Sequence, residues 1–166
     1  MVELQFPGAL APAPPGLRMD LPGTWVAAPA ETSLVRAVGP AGEDGARSRV
    51  SVDHLVLAPD AGVEAAMQAA IDLRARGGLE VDSPFVVDLG GLTFHGVNLS
   101  WVDDGRRTYR VHLVAELEGP DPVEVSRFLV LTGEVSGEQA ARDYDQVQTV
   151  LSSVVLEATE ATEAAS

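Results

Sequence analysis

Near the middle of the chain, one Asp-Gly pair sits between two apolar-rich runs, in GVNLSWVDDGRRTYRVHLV. Asp-Gly in that setting is a strong signal for a two-residue hairpin loop, because both residues tolerate the positive φ that such a turn demands. With Asp104 and Gly105 as the loop, Asp103 faces Arg106, and all other pairs are counted back from there. Leu92, Phe94, Tyr109, Val111, Leu113, Ala115 and Leu117 then share one face. His95, Val97, Leu99, Trp101, Thr108, Arg110, His112 and Val114 share the other. The first face reads as core. The second mixes apolar and polar residues.

A hairpin this long and apolar requires a sheet around it. Residues 17–22 and 33–38 read as short strands, and 47–57 as a long one. In the long strand Val50, Val52 and Val56 lie on one side with His54, while Leu55 and Leu57 lie on the other, a pattern that implies cover on both sides. Another strand surrounds Pro84, and residues 123–135 form the last. The EGPDP loop leaves the register of that last strand open.

Two segments have helical spacing. The first opens at Asp60 as N-cap, carries Val63, Ala66, Met67, Ala70 and Ile71 on one stripe, and ends at Arg74, Arg76 and Gly77-Gly78. The second opens at Ser136 with Gln139 completing a capping box, and its stripe is Ala140, Tyr144, Val147, Leu151, Val154 and Val155. The expected fold is α+β: an antiparallel sheet of about six strands with helices on both faces, an α/β/α sandwich. Residues 1–16 read as an extended arm rich in Pro and Ala, 17–156 as a single domain, and 157–166 as a flexible acidic tail.

Composition narrows the chemistry. The hydrophobic fraction of 46% supports a real core, and with aromatics at 5% that core is built from Val, Leu and Ala. The net charge of −14 repels phosphate backbones and anionic lipid, which argues against nucleic acid and membrane insertion. There is no cysteine, and all 11 basic residues are arginine. Disulfides, thiolate nucleophiles, P-loop lysines and Schiff-base lysines are thereby excluded. The N-terminal MVELQFPGALAPAPPG has no basic region followed by an apolar run. The expected location is the cytoplasm, or outside it if a leader has been removed.

His54, His95 and His112 are the imidazoles available to a metal, yet none is spaced from another as His-x-His or His-x-x-x-His. Gly-x-Ser-x-Gly is absent, and the carboxylates of Asp103 and Asp104 are explained by the hairpin. No metal, no cofactor and no catalytic residue are expected. Trp25 follows Pro22-Gly23, a turn that can fold its ring back over the end of the core. The mixed hairpin face has two readings. The second helix closes it through Tyr144, Val147 and Leu151, or it stays open to another protein. In the open case Val97, Leu99 and Trp101 are apolar anchors, Arg110 is a forked donor, and His95 and His112 complete the candidate site.

The stretches DLPGTW at 20–25, GVNLSWVDDGRRTYRVHLV at 96–114 and FLVLTGEVSGEQAARDYDQVQTVLSSVVL at 128–156 resemble the Mog/PsbP-like fold. Within it they resemble the bacterial LpqN-type and DcrB-like single-domain proteins. The resemblance implies a sheet flanked by helices and a role in binding and positioning other proteins, such as photosystem subunits, a Ran-type GTPase or secreted toxins held by chaperones. On that basis the expected function is a non-catalytic adaptor or chaperone, with secretion as one setting for it, whose partner is another protein, with a homodimer as a further option. The alternatives are an exported or lipid-anchored envelope protein, and a small-molecule binder or hydrolase using the His95/His112 face.

Overall fold

The computed structural model describes residues 7–8, 12–72, 78–118 and 125–157. Arg74, Arg76 and Gly77 at the expected end of the first helix, the first residues of the last strand, most of the arm and nearly all of the tail lie outside the described residues. In chain order the elements are β1 (Leu17–Arg18), β2 (Val26–Ala28), β3 (Val35–Val38), β4 (Arg49–Leu57), α1 (Val63–Asp72), β5 (Glu80–Val81), β6 (Phe85–Leu89), β7 (Leu92–Asp103), β8 (Arg106–Leu117), β9 (Ser126–Ser136), α2 (Ala140–Ser152) and β10 (Val155–Leu156). Among the described residues eight strands form one antiparallel sheet in the order β2-β3-β4-β9-β8-β7-β5, with β6 also pairing β7. A separate ribbon joins β1 to β10. The α+β class holds, and the expected count of about six strands is too low. The three-residue β2 and two-residue β5 are too short to show alternation in the sequence.

The hairpin register is the one counted from the turn, with Asp103 opposite Arg106. Asp104 and Gly105 take φ of 50° and 74°, as a tight hairpin loop with positive φ requires. Two expected helix starts are corrected. A turn from Ala61 N–H to the Ala58 carbonyl absorbs Pro59 and Asp60, so α1 begins at Val63 and Asp60 is not its cap. Ser136 stays in β9 opposite Thr108, Gly137 turns the chain with φ of 87°, and α2 begins at Ala140. Gln139 occupies the N-cap position without a side-chain capping hydrogen bond, its Oε1 accepting from Arg142 instead, so the capping box does not form.

Alternate residues of the long strands pack into two separate clusters. Val50, Val52, Val111, Leu113, Leu129 and Leu131 join Val147, Val150 and Leu151 of α2. Gly133 permits the close approach of that helix, since a Cβ there would collide with Val147. Val114, Phe128 and Val130 instead meet Ala66 and Ala70 of α1. Full burial of side chains such as Phe128, Leu131 and Val147 is the main favourable contribution to folding, about 1.5–3 kcal/mol each.

Trp25 closes one end of the α2-side core, as its turn suggests. Its backbone N–H donates to the Pro22 carbonyl at 2.9 Å, and its indole N–H reaches Gln146 Oε1 on α2 at 3.4 Å. The ring lies against Gly39, where a Cβ would come within 3.1 Å of it. At the other end, Arg127 Nη2 donates to the Ala13 carbonyl at 2.9 Å, and Asp20 N–H donates to Ser153 Oγ at 2.9 Å. The segment before β2 is thereby tied to β9 and to the end of α2.

Candidate functional site

Strand register places two polar rows across the sheet. Arg110 pairs with Glu134, and Glu134 with Arg49. One step along, His112 pairs with Thr132, Thr132 with Ser51, and Ser51 with Arg36. Cross-strand partners share a side of the sheet, so these seven side chains lie together. The next row on that side is Val114, Val130 and Asp53, where the apolar contact with α1 begins. On β8 and β9 this side therefore changes from apolar to polar between adjacent rows, while the same rows continue onto β7 as buried Val97 and Leu99.

The polar rows are internally bonded. Arg110 Nε and Nη2 both donate to Glu134 Oε2, at 2.9 and 2.6 Å. The same guanidinium lies 4.5 Å from the centroid of the Trp101 ring, a cation–π contact strengthened by burial. His112 Nδ1 and Thr132 Oγ1 are 2.9 Å apart, and Ser33 Oγ donates to Asp53 Oδ1 at 2.7 Å. A cleft of about 290 Å³ opens above Ser51, His112 and Thr132, bordered by Thr32, Ser33 and Asp53.

The residues selected from the sequence separate into two groups. Val97, Leu99, Trp101, Arg110 and His112 come together on this side and are buried, with Trp101 4% exposed. His95 lies on the same side one row from His112, opposite Val114 and Val86, but it is exposed rather than buried. Closure of this side by Tyr144, Val147 and Leu151 is not what forms, because α2 packs on the Val111 and Gly133 side. His54 also lies apart, where its Nε2 accepts from Arg127 Nε at 3.2 Å. Burial, followed by the charge of Arg127, holds the His54 pKa below its ordinary value. Among the described residues no three His, Asp or Glu side chains gather as a metal site.

A second concavity is not evident in the sequence. It is a groove of about 580 Å³ between the start of α2 and the hairpin end of β7 and β8. Tyr109, Val135, Ala140, Ala141 and Tyr144 give it apolar surface, and Asn98, Ser100, Arg107, Asp82 and Glu138 give it polar edges. Tyr144 Oη donates to Asn98 Oδ1 at 2.8 Å, and burial pushes its pKa above the usual tyrosine value. Arg107 is held beside Glu80 at 3.5 Å. Tyr109 falls on the expected core face, yet it is 42% exposed because α2 starts only at Ala140. The late start of α2 leaves the hairpin end of that face uncovered.

No protein-family model matches the chain, and no curated protein matches it by sequence. Solved structures do match. LpqN of Mycobacterium tuberculosis, described as involved in cell envelope biogenesis, superposes with a TM-score of 0.69 at 12% identity, over 89% of this chain and 86% of LpqN. The chain has an LpqN-like fold. A Bacteroides thetaiotaomicron VPI-5482 protein matches with a TM-score of 0.51 at 13% identity, over 87% of this chain and 46% of that one. At these identities the likeness establishes the fold, while the function of a site rests on its own residues.

Proposed function

We propose that this protein is a non-catalytic adaptor or chaperone that holds another protein at the Tyr109–Tyr144 groove. The observation that carries this reading is an open, tyrosine-lined groove beside a half-exposed aromatic ring. Tyrosine supplies a large apolar face with a polar tip, and it is enriched among residues that dominate binding energy. The rim of Asn98, Ser100 and Arg107 offers donors and acceptors around that apolar floor, the layout of a recognition surface. The LpqN-like fold supports a PsbP-like arrangement with helices on both faces of the sheet. The description of LpqN as involved in cell envelope biogenesis fits an envelope-linked, exported setting for this chain. No described helix is long and apolar enough to cross a membrane.

The test is photo-crosslinking in an extract of the native source, with a benzophenone amino acid at position 109 or, as control, at Val86, which is 61% exposed on the edge strand. One protein crosslinked from 109 and not from 86 is the expected result. Tyr109→Ala is expected to weaken that capture by about 2 kcal/mol or more while changing stability by no more than about 0.5 kcal/mol. Identical crosslinks from both positions would exclude the groove.

A further inference from the structure

We propose that the cleft above Ser51, His112 and Thr132 is a second binding site, for a small polyhydroxylated anion such as a sugar acid or a sugar phosphate. It lies on the opposite side of the strands from the tyrosine groove and does not depend on the function proposed for that groove. The first argument is its floor. Ser51, His112 and Thr132 are each less than 9% exposed, yet they border about 290 Å³ of space. Polar side chains placed only for solubility would project into water. Here they are recessed beneath a concavity, the form of a ligand site with a few convergent polar groups. The same side of the same strands is apolar one row further on, at Val114 and Val130, where α1 packs. Val130, with Ala70 of α1 and Leu55, also borders the cleft, so its polar floor adjoins an apolar wall.

The second argument is the kind of group each side chain receives. Asp53 takes one hydrogen bond from Ser33, and a carboxylate has lone pairs for further hydroxyl donors. The Ser51 and Thr132 hydroxyls rotate to donate or accept. Together they suit a ligand rich in hydroxyl groups. Ser51 and Thr132 also border the shallow depression lined by Arg36, Arg49 and Glu134, where Glu134 already accepts from Arg110, and Arg36 pairs directly with Ser51 in the sheet. Guanidinium forks match carboxylate and phosphate oxygens, so the anionic end of the ligand belongs there. The volume lies near the lower limit for ligand pockets, which selects a molecule of about one sugar unit.

The experiment uses the full chain. Backbone amide shifts are followed while gluconate, glucose 6-phosphate, glucose and inorganic phosphate are titrated separately. Saturable shifts at Ser51, Thr132 and His112 with gluconate or glucose 6-phosphate are expected, and the stronger of the two identifies carboxylate or phosphate as the anionic group. Glucose and inorganic phosphate should each bind at least about tenfold more weakly. Arg49→Ala, at an exposed position, should weaken the charged ligand by about tenfold and leave glucose unaffected. The proposal is overturned if neither charged sugar saturates by about 10 mM. It is also overturned if inorganic phosphate alone reproduces the shifts, or if they centre on Tyr109 and Tyr144.

Discussion

The two sides of β4, β8 and β9 are made from alternate residues of the same segments, yet their chemistry differs. On the α2 side, Val50, Val52, Val111, Leu113 and Leu131 form a continuous apolar floor, and Gly133 removes a side chain so that Val147 can sit against it. On the other side Val114, Val130 and Phe128, with Leu55 beside them, meet the small residues of α1, and Val97, Leu99 and Trp101 are buried further along. The next rows carry Arg110, Glu134, His112, Thr132 and Ser51. A packed apolar side contributes stability in proportion to area buried. A buried polar side contributes little net stability and loses much when a single partner is removed. The difference teaches that the α2 side is packed from apolar side chains alone over these strands, whereas the other side mixes apolar packing with buried polar groups that bond to one another.

Among single substitutions the largest effect should come from Trp25, which plugs the α2-side core from outside the sheet. Trp25→Ala is expected to cost about 3–5 kcal/mol in urea unfolding, from the lost contact area and the cavity left against Gly39. A midpoint close to that of the parent protein would mean that this end of the core is not anchored by the indole.

A smaller loss should follow removal of a charge on the polar side. Glu134→Ala takes away the carboxylate that accepts two N–H groups of Arg110, whose side chain is 4% exposed. Breaking a buried pair costs about 3–5 kcal/mol, and the 22% exposure of Glu134 reduces the expectation to about 2 kcal/mol. Glu134→Gln, which keeps an acceptor, should recover part of that loss.

The smallest effect concerns pH. His54 is held below its ordinary value of 6.5, mainly by burial and then by Arg127. Above that pH the imidazole is neutral in both the folded and the unfolded chain, and it adds no slope. As pH falls below it, the unfolded chain takes up the proton first, so stability declines until the folded His54 also protonates. The protonated ring cannot accept from Arg127, which also holds the Ala13 carbonyl. His54→Gln keeps an acceptor without the titration and should flatten this part of the pH profile. Parallel urea midpoints across the pH range would show that His54 carries no such linkage.

The sequence was most informative where local chemistry determines geometry. Asp104-Gly105 alone set the hairpin register and thereby the partners of Arg110 and His112. It was less informative where tertiary pairing overrides a local signal. Ser136 has the form of a helix cap, but strand pairing with Thr108 keeps it in β9 and delays α2 to Ala140. That delay leaves Tyr109 exposed and creates the groove with Tyr144, which period-two patterning cannot show. The polar rows depend on β9 in register with both β8 and β4, and the EGPDP loop did not define that register. His112 could be placed on the mixed face, whereas its partner Thr132 could not.

The contrast between the two sides is tested most directly by two double variants on neighbouring pairs of β4 and β9. Ser51 pairs with Thr132, and Val52 pairs with Leu131, so the two pairs are adjacent in register and face opposite ways. Ser51→Ala/Thr132→Val is expected to lower stability by about 1–3 kcal/mol, chiefly the cost of taking the Thr132 hydroxyl away from buried His112. Val52→Ala/Leu131→Ala is expected to lower it by about 4 kcal/mol or more, since both side chains are fully buried in the α2-side core. Urea unfolding of both variants beside the parent protein gives the comparison. A polar pair that costs as much as the apolar pair would contradict the account, because the polar side would then be holding the fold together as well.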